Sequence, residues 1–359
     1  MGIKPRKDIG QLISTLKTRN LSISDSAEKF LMDINYFQLI NGIENLLLPL
    51  EKSKTNGIKQ FKTETMDDFI AIYNFDREFS NKIMQIISRF EMRLKTSVSY
   101  NFSKKYCYTI NRTMEYTNKN NYVNLSTEKN YPFRSYDNDP VKYQYESICY
   151  KFNRFKLFDK NFLNNLVRNN DFIDKSFYRD NNYYPVNPSD VCVFTEDNKV
   201  AVPLWVAIQT FDFGCLKRMC HYMKIKDFNL VLKDFGLEPI DRIFFLNCLD
   251  IIHELRNACA HFSLLFRFKT PSNLGISKGL IKKFNLKPQK TKHPAVKISL
   301  YDCLKVLAFF ESLKDLKKPL KKIIYRNNRK FNSKYYDLNH RLLTEIGEPS
   351  YKEIKKLFR

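Results

Sequence analysis

Residues 65–106 read TMDDFIAIYNFDREFSNKIMQIISRFEMRLKTSVSYNFSKKY, and this stretch decides the class of fold. Thr65 followed by Asp67 and Asp68 is a favourable helix start, because carboxylates in the first turn interact well with the helix dipole. The apolar residues then recur at helical spacing, as Phe79, Ile83, Ile86, Ile87, Phe90 and Leu94. The pattern predicts a long helix through this stretch, with a break near Asn74.

Helical spacing and helix-end signals predict more helices on both sides of this one. They cover residues 8–19, 24–41, 141–156, 159–169, 203–223, 239–261 and 300–325. The segments 51–62, 107–140, 171–202 and 267–295 are predicted to be loops, with one small hairpin that pairs 191–194 with 199–202. Glycine is scarce, at 9 residues, which disfavours tight-turned sheets.

The predicted fold is therefore all-α. Its parts are an N-terminal helical region (1–62), a helical core (63–325) with an insertion at about 107–200, and a basic C-terminal tail (326–359).

The charge of the chain points to a polyanionic partner. There are 61 Lys and Arg against 38 Asp and Glu in 359 residues, a net charge of +23. Such a charge is tolerated most easily beside nucleic acid or an anionic membrane. No apolar run is long enough to span a bilayer, and the apolar residues of the tail are too interrupted for a surface helix, so RNA is favoured. The 8 cysteines form no CxxC pair, which fits reduced thiols in a cytoplasm.

The motifs of the common enzyme classes are absent from the sequence. There is no GxxxxGK, HExxH or GxSxG, and no His and carboxylate set at metal-ligand spacing. We therefore expect neither a cofactor nor a metal ion.

One segment can carry chemistry, Arg256-Asn-Ala-Cys-Ala-His261. A histidine near neutrality can move a proton to or from the 2′-hydroxyl or the leaving oxygen of RNA. A permanent guanidinium can hold the phosphate and stabilise its transition state. A helix ending near His261 would favour the charged imidazole, and Asn257 is placed to orient one of the two groups. The alternative is a helix-capping histidine beside a surface arginine, since the Arg-x4-His spacing arises by chance in roughly one such chain in four.

Several segments in order resemble the abortive-infection Abi proteins of the AbiD/AbiF type. Residues 4–48, with Asn35-Tyr-Phe-Gln-Leu, look like the start of that family. Tyr73-Asn-Phe-Asp-Arg-Glu-Phe and Arg89-Phe-Glu-Met-Arg-Leu-Lys are similar to its central helix, with Glu78-Phe79 in place of Leu-Arg. Later landmarks are Pro203-Leu-Trp-Val-Ala, Phe213-Gly214 and the Arg256–His261 segment.

The resemblance implies a helical fold related to the HEPN superfamily, in which Arg-x(4–6)-His forms a ribonuclease site. It also implies phage defence through RNA cleavage and a partner RNA, including a structured noncoding RNA. Such sites are commonly composite, so either a homodimer pairs two motifs or a degenerate half near residues 65–106 completes the fold.

Further basic residues are candidates for binding RNA. They are Arg77, Arg89, Arg93 and Lys95 in the long helix, and Lys321, Lys322, Arg326, Arg329 and Lys330 near the C-terminus. An ordinary solvated helix face, or a basic tail with no fixed role, is the alternative. Trp205 is predicted to pack in the core, His253 to lie near the motif without catalysing, and Cys259 to be no nucleophile. A scaffold that binds a structured RNA without cleaving it is the rival function.

Overall fold

The computed structural model describes residues 6–25, 27–48, 54–55, 58–109, 112–124, 151–159, 202–272, 274–290, 296–331 and 337–358. Its helices are α1 Ile9–Thr18, α2 Ala27–Asp33, α3 Glu44–Leu47, α4 Met66–Tyr106, α5 Leu204–Ala207, α6 Phe213–Tyr222, α7 Ile225–Asp234, α8 Arg242–Ala260, α9 Lys278–Phe284, α10 Leu300–Ala308, α11 Lys317–Lys330, α12 Leu338–Ile346 and α13 Tyr351–Lys356. A π-helix spans Phe37–Asn41. None of the helices in these parts of the chain combines the length and the hydropathy needed to cross a membrane.

The strands are short and form two antiparallel pairs. β1 Lys54–Thr55 pairs with β2 Ile58–Lys59, and β3 Gln289–Lys290 pairs with β4 Val296–Lys297. The prediction of an all-α fold is confirmed.

The chain divides into two compact units. Unit 1 comprises Met1–Ile86, Arg256–Lys269 and Ser299–Arg359, and unit 2 comprises Ile87–Leu255 and Thr270–Ile298. The predicted domain boundaries near residues 62 and 325 stay predictions. The two units are defined by the contacts within each of them, and this does not test which segments fold independently.

Helix α4 is continuous, so the predicted break near Asn74 is wrong. Asparagine costs a helix at most about 0.7 kcal/mol relative to alanine. The neighbouring Ile72 and Phe75 are buried, and burial of such side chains contributes about 1.5–3 kcal/mol each. Tertiary packing therefore outweighs the local preference. The six residues of the predicted apolar stripe are all buried, three in unit 1 and three in unit 2.

Three predicted helices are interrupted where capping or turn chemistry intervenes. The segment 24–41 becomes α2 and the π-helix, and 300–325 becomes α10 and α11. In 203–223, Asp212 accepts a hydrogen bond from Cys215 N at 2.7 Å and starts a new helix, α6, after α5. Such a cap satisfies an orphan amide, which apolar spacing alone does not reveal.

The segment 267–295, predicted as a loop, contains α9. Ser277 caps this helix by accepting the N–H of Leu280 at 3.2 Å, and Asn285 ends it in the left-handed conformation. The predicted helices near 141–156 and 159–169 and the hairpin 191–194/199–202 lie outside the described residues. Two parts of these segments are described. Residues 151–159 contain two short 3-10 turns in place of the predicted helix, and Val202 is the one described residue of the hairpin.

The segment predicted as a basic tail is structured where it is described. It contains the end of α11 and the helices α12 and α13. The buried face of α12 is formed by Leu338, Leu342, Leu343 and Ile346, at helical spacing. In unit 1, α12 packs against α3 and against the turn Leu265–Arg267. The C-terminal segment thereby supports the chain directly after the Arg256–His261 segment.

Candidate functional site

The Arg256–His261 segment forms the C-terminal end of α8. The N–H of His261 donates to Asn257 O at 2.9 Å, and the N–H of Ser263 donates to Ala258 O at 3.1 Å. Phe262 adopts a φ of 54°, the left-handed conformation that ends many helices and usually requires glycine. The helix therefore stops at Ala260, and His261 lies beside its last carbonyl groups, as the sequence predicts.

Asp76 of α4 anchors the chain that follows His261. Its buried carboxylate accepts the backbone N–H of Leu265 at 3.0 Å and of Phe266 at 2.8 Å. Burial raises the pKa of the Asp76 carboxyl, while Arg77 and these two amides act in the opposite direction. The Asp76 carboxylate thus holds in place a loop whose residue Phe266 lies 190 positions further along the sequence.

Arg77 makes a second connection to the same loop. It forms an ion pair with Asp76, with an N–O distance of 2.5 Å, and donates a hydrogen bond to Ser263 O. Its guanidinium carbon lies 5.4 Å from the centre of the Tyr73 ring. Arg77 was predicted to bind RNA; its Nη2 is directed at the protein, while its buried Nε has no hydrogen-bond partner among the residues that the structure describes.

The N-terminal segment contacts the loop from another direction within unit 1. Gln38 Nε2 donates to Phe262 O at 3.3 Å, and Arg267 donates to Gly42 O at 2.9 Å. A Cβ atom at Gly42 would lie 2.3 Å from Leu264 Cδ1, so only glycine fits this approach. Three segments that carry the family resemblance therefore meet around His261.

Arg256 is half-buried and has an unused donor. Its Nε is buried and has no hydrogen-bond partner among the residues that the structure describes, and no carboxylate among them forms an ion pair with it. A buried guanidinium N–H without a partner is costly, and an anionic ligand would satisfy it. The position of Arg256 thus fits a phosphate-binding role.

His261 is exposed at the surface of unit 1. Within the described part of the chain, no side chain forms a hydrogen bond with its ring. The ring is therefore accessible to a ligand while its backbone is held in place. Asn257 contributes through its carbonyl, which accepts the His261 N–H.

Cys259 faces Ser80 inside the same unit. Burial raises the pKa of its thiol to about 11, with smaller opposing effects of Ser80, Arg77 and Arg256. A protonated, buried thiol is a poor nucleophile, which agrees with the sequence interpretation.

The basic residues predicted in the second half of α4 lie in unit 2 and differ in environment. Arg89 is exposed. Arg93 donates to Asp234 O at 2.7 Å and lies over the Phe235 ring, 4.3 Å from its centre. Lys95 is buried and pairs with Glu91 at 2.9 Å, so it does not belong to an exposed stripe.

The basic residues predicted near the C-terminus are brought together. A cavity of about 1050 Å³, called here the α11 groove, is lined by Lys314, Lys317, Lys318, Lys321, Lys322, Tyr325, Arg326, Arg329 and Lys330. Asp68 of α4 pairs with Arg326 and Lys330, each at 2.7 Å. Burial alone would raise the pKa of Asp68, but hydrogen bonds from these two cations hold it below its usual value. The other cations of the groove pair with no carboxylate of the described residues.

Two other predicted residues have distinct outcomes. Trp205 was predicted to pack in the core, and this is wrong, because 57% of its surface is exposed. Its neighbours Leu204 and Ala207 are the residues of α5 that are buried. His253 lies in unit 2, where its ring stacks on Phe213 and its Nδ1 is 3.4 Å from Lys217 Nζ.

The positioning residues Asp76, Gln38 and Gly42 were missed as such at the sequence level. The available signal was their location in segments that carry the family resemblance. Without the fold, nothing in those segments identifies the loop that they hold.

Comparison with protein families identifies the family of the chain. The family model described as Abi-like protein matches residues 29–267, which is more than half of the chain and includes Gln38, Gly42, Asp76 and the Arg256–His261 segment. No curated protein and no solved structure matches the chain. On the extent of the family match, the chain belongs to the Abi-like protein family.

Proposed function

We propose that the protein is a metal-independent endoribonuclease that acts in abortive infection, a defence against phage. Membership of the Abi-like protein family supports the defence role. The cleavage activity is the finer part of the proposal, and it rests on the site at the end of α8.

One observation carries the cleavage activity. The exposed His261 follows a helix end that is held by Asp76, Arg77 and Gln38, while Arg256 one and a half turns earlier retains a buried donor that has no partner among the described residues. A fixed backbone limits the reorganisation that catalysis requires.

The proposed reaction uses the nucleophile that RNA itself supplies. The 2′-oxygen attacks the phosphorus and loses its proton to a base, while the bond from phosphorus to the 5′-oxygen breaks and that oxygen gains a proton. His261 serves in one of these proton transfers, and Arg256 stabilises the charge on the phosphate oxygens. The products are a 2′,3′-cyclic phosphate and a 5′-hydroxyl.

The test compares the wild type with His261→Gln and Arg256→Gln on a labelled single-stranded RNA in the presence of EDTA. A positioned proton-transfer group contributes about 10²–10⁴-fold and a charge-stabilising donor about 10²–10³-fold, so each variant should lose at least about a hundredfold in rate. His340→Gln is the matched control, since His340 is also exposed but lies on α12. Cleavage that requires magnesium and leaves 5′-phosphates would contradict the mechanism.

A second function, a scaffold for a structured noncoding RNA, is favoured by the α11 groove. Eight cations line this groove, and charge of that density binds a phosphate backbone independently of sequence. Purification of His261→Gln with its bound RNA separates the two functions. One abundant RNA of defined length, with no loss of phage protection, would support the scaffold, whereas loss of protection would support cleavage.

A further inference from the structure

A second groove lies in unit 2. It has a volume of about 580 Å³ and is lined by the last turns of α4 and by residues around α5. Neither Arg256 nor His261 belongs to it. Its lining includes three aromatic residues, Tyr100, Tyr108 and Trp205.

These three aromatic side chains are unusually exposed. Tyr100 is 73% exposed, Tyr108 60% and Trp205 57%. Single exposed apolar residues need no explanation, but a cluster in one groove marks a binding surface. Aromatic rings with open faces stack on unpaired nucleobases, and every base offers such a face.

The polar groups of the groove suit the rest of a nucleotide. Lys104 lines the groove and is exposed, and Arg112 donates to the Tyr108 hydroxyl at 3.0 Å with its guanidinium 5.2 Å from the ring centre. No carboxylate is among the lining residues that the structure describes. The positive charge at the rim therefore complements a phosphate.

The hydroxyl and amide groups favour contacts to a base edge. Ser99 Oγ donates to Thr96 O at 3.1 Å, and Thr96 Oγ1 donates to Met92 O at 3.0 Å. With their protons committed to the helix, both hydroxyls offer only acceptor capacity to the groove. Gln209 is exposed in the lining and offers both a donor and an acceptor.

We propose that this groove binds an unpaired nucleotide, with the base stacked on Trp205 and Tyr100 and the phosphate at Lys104. Its volume lies within the range of about 300–1,000 Å³ that is usual for such ligands. The nucleotide belongs either to single-stranded RNA or to a free mononucleotide. Only the choice of RNA as a probe rests on the proposed function, because the groove takes no part in cleavage.

The chain offers a direct optical test, since Trp205 is its only tryptophan. The full-length His261→Gln variant, which lacks the proposed proton-transfer group, is titrated with a single-stranded oligoadenylate, with the same strand in a duplex, and with adenosine 5′-monophosphate. Stacking on the indole should quench its fluorescence in a saturable manner. Quenching by the single strand alone identifies RNA as the source, and equal affinity for the mononucleotide identifies a free nucleotide.

Variants identify the contribution of the groove. Tyr100→Ala should weaken binding about five- to hundredfold, the range expected for one stacked base, and Tyr100→Phe should retain it. Phe309→Ala, an exposed aromatic residue of unit 1, is the matched control and should change nothing. The proposal is overturned if no probe quenches Trp205, if the duplex quenches as well as the single strand, or if Tyr100→Ala binds like the parent.

A failure of the cleavage proposal would leave these outcomes unaffected. The titration reports occupancy of the groove, and it uses a variant in which His261 is already replaced. Active or inactive, the protein gives the same answer about nucleotide binding in unit 2.

Discussion

Asp76 sets the backbone geometry next to His261 although its carboxylate contacts only the loop that follows. It accepts two amides and pairs with Arg77, all within the interior of unit 1. Removal of one partner from a buried, hydrogen-bonded ion pair leaves the other groups without compensation. Asp76 is therefore a positioning residue, and its effect on activity should pass through the loop.

The Asp76→Asn variant should lower the free energy of unfolding by about 3 kcal/mol, since the amide can accept from only one side. It should also slow RNA cleavage while Arg256 and His261 are still present. Urea unfolding and a cleavage assay measure the two effects. Asp33→Asn, at the exposed end of α2, is the control, and equal behaviour of the two variants would contradict the anchoring role.

Phe262 combines two unfavourable features at the end of α8. Its φ is 54°, and 64% of its surface is exposed. Left-handed backbone costs a non-glycine residue roughly 1–2 kcal/mol. The exposed ring recovers little of this through burial.

Replacement of Phe262 by glycine should raise the free energy of unfolding by about 1 kcal/mol, because glycine adopts this φ without strain. Phe262→Ala retains a Cβ atom and should give no such gain. Urea unfolding curves of both variants decide the matter. A loss of stability in both variants relative to the wild type would show that the ring, which both lack, outweighs the strain of the backbone.

Helix α11 presents two different faces to its surroundings. One face contributes buried Leu320, Ile323 and Ile324 to the core, and the other lines the α11 groove. Of the groove cations, Arg326 and Lys330 connect the helix to Asp68 of α4. The cations that pair with Asp68 are therefore different residues from the remaining cations of the groove.

Asp68 should make unit 1 sensitive to acid. Its pKa in the folded protein lies below the ordinary value of 3.8, so the folded state binds this proton less readily than the unfolded state. The stabilisation is complete above the unfolded pKa and is lost as the pH falls through the folded pKa. The free energy of unfolding, measured in urea from about pH 5 downward, should fall less steeply in Asp68→Asn than in the wild type. Asp67→Asn, at an exposed neighbouring position, should follow the wild type.

The α11 groove should determine how RNA affinity depends on salt. Each phosphate contact to a single strand contributes about 0.7 to the slope of log affinity against log salt concentration. The double variant Lys318→Gln and Lys322→Gln should therefore reduce this slope by roughly 1.4. Lys352→Gln with Lys355→Gln removes the same charge from α13, and a similar reduction there would mean that bulk charge alone binds RNA.

At the scale of the whole molecule, the net charge of +23 and a single Arg-x4-His motif raise the question of how many chains form one site. A two-fold dimer would place two copies of the motif opposite each other. The alternative, a degenerate half within one chain, needs no partner. The two arrangements predict different RNA cleavage activities when two variant proteins are mixed.

If Arg256→Gln and His261→Gln each lose activity as proposed, mixing the two proteins should restore part of it when one active site takes each residue from a different chain. A monomeric site, or one that takes both residues from the same chain, should give no recovery. RNA cleavage by the mixture is compared with that of each variant alone at equal total concentration. Light scattering of the wild type over the same concentrations reports whether chains associate.

The sequence by itself determined the properties that depend on neighbouring residues. Apolar spacing predicted the helical class and the helices at 8–19, 65–106 and 239–261, because one turn of helix involves only a few residues. It also placed His261 near a helix end. The excess of Lys and Arg is a property of composition and needs no structure.

Only the tertiary structure decided which distant residues meet. The hydrogen bonds from Leu265 and Phe266 to Asp76 join positions about 190 residues apart, and no local pattern encodes such a pairing. The same holds for buried Lys95, exposed Trp205 and the packed C-terminal helices. Their environments depend on what packs against them, since burial and pairing are collective properties of a folded core.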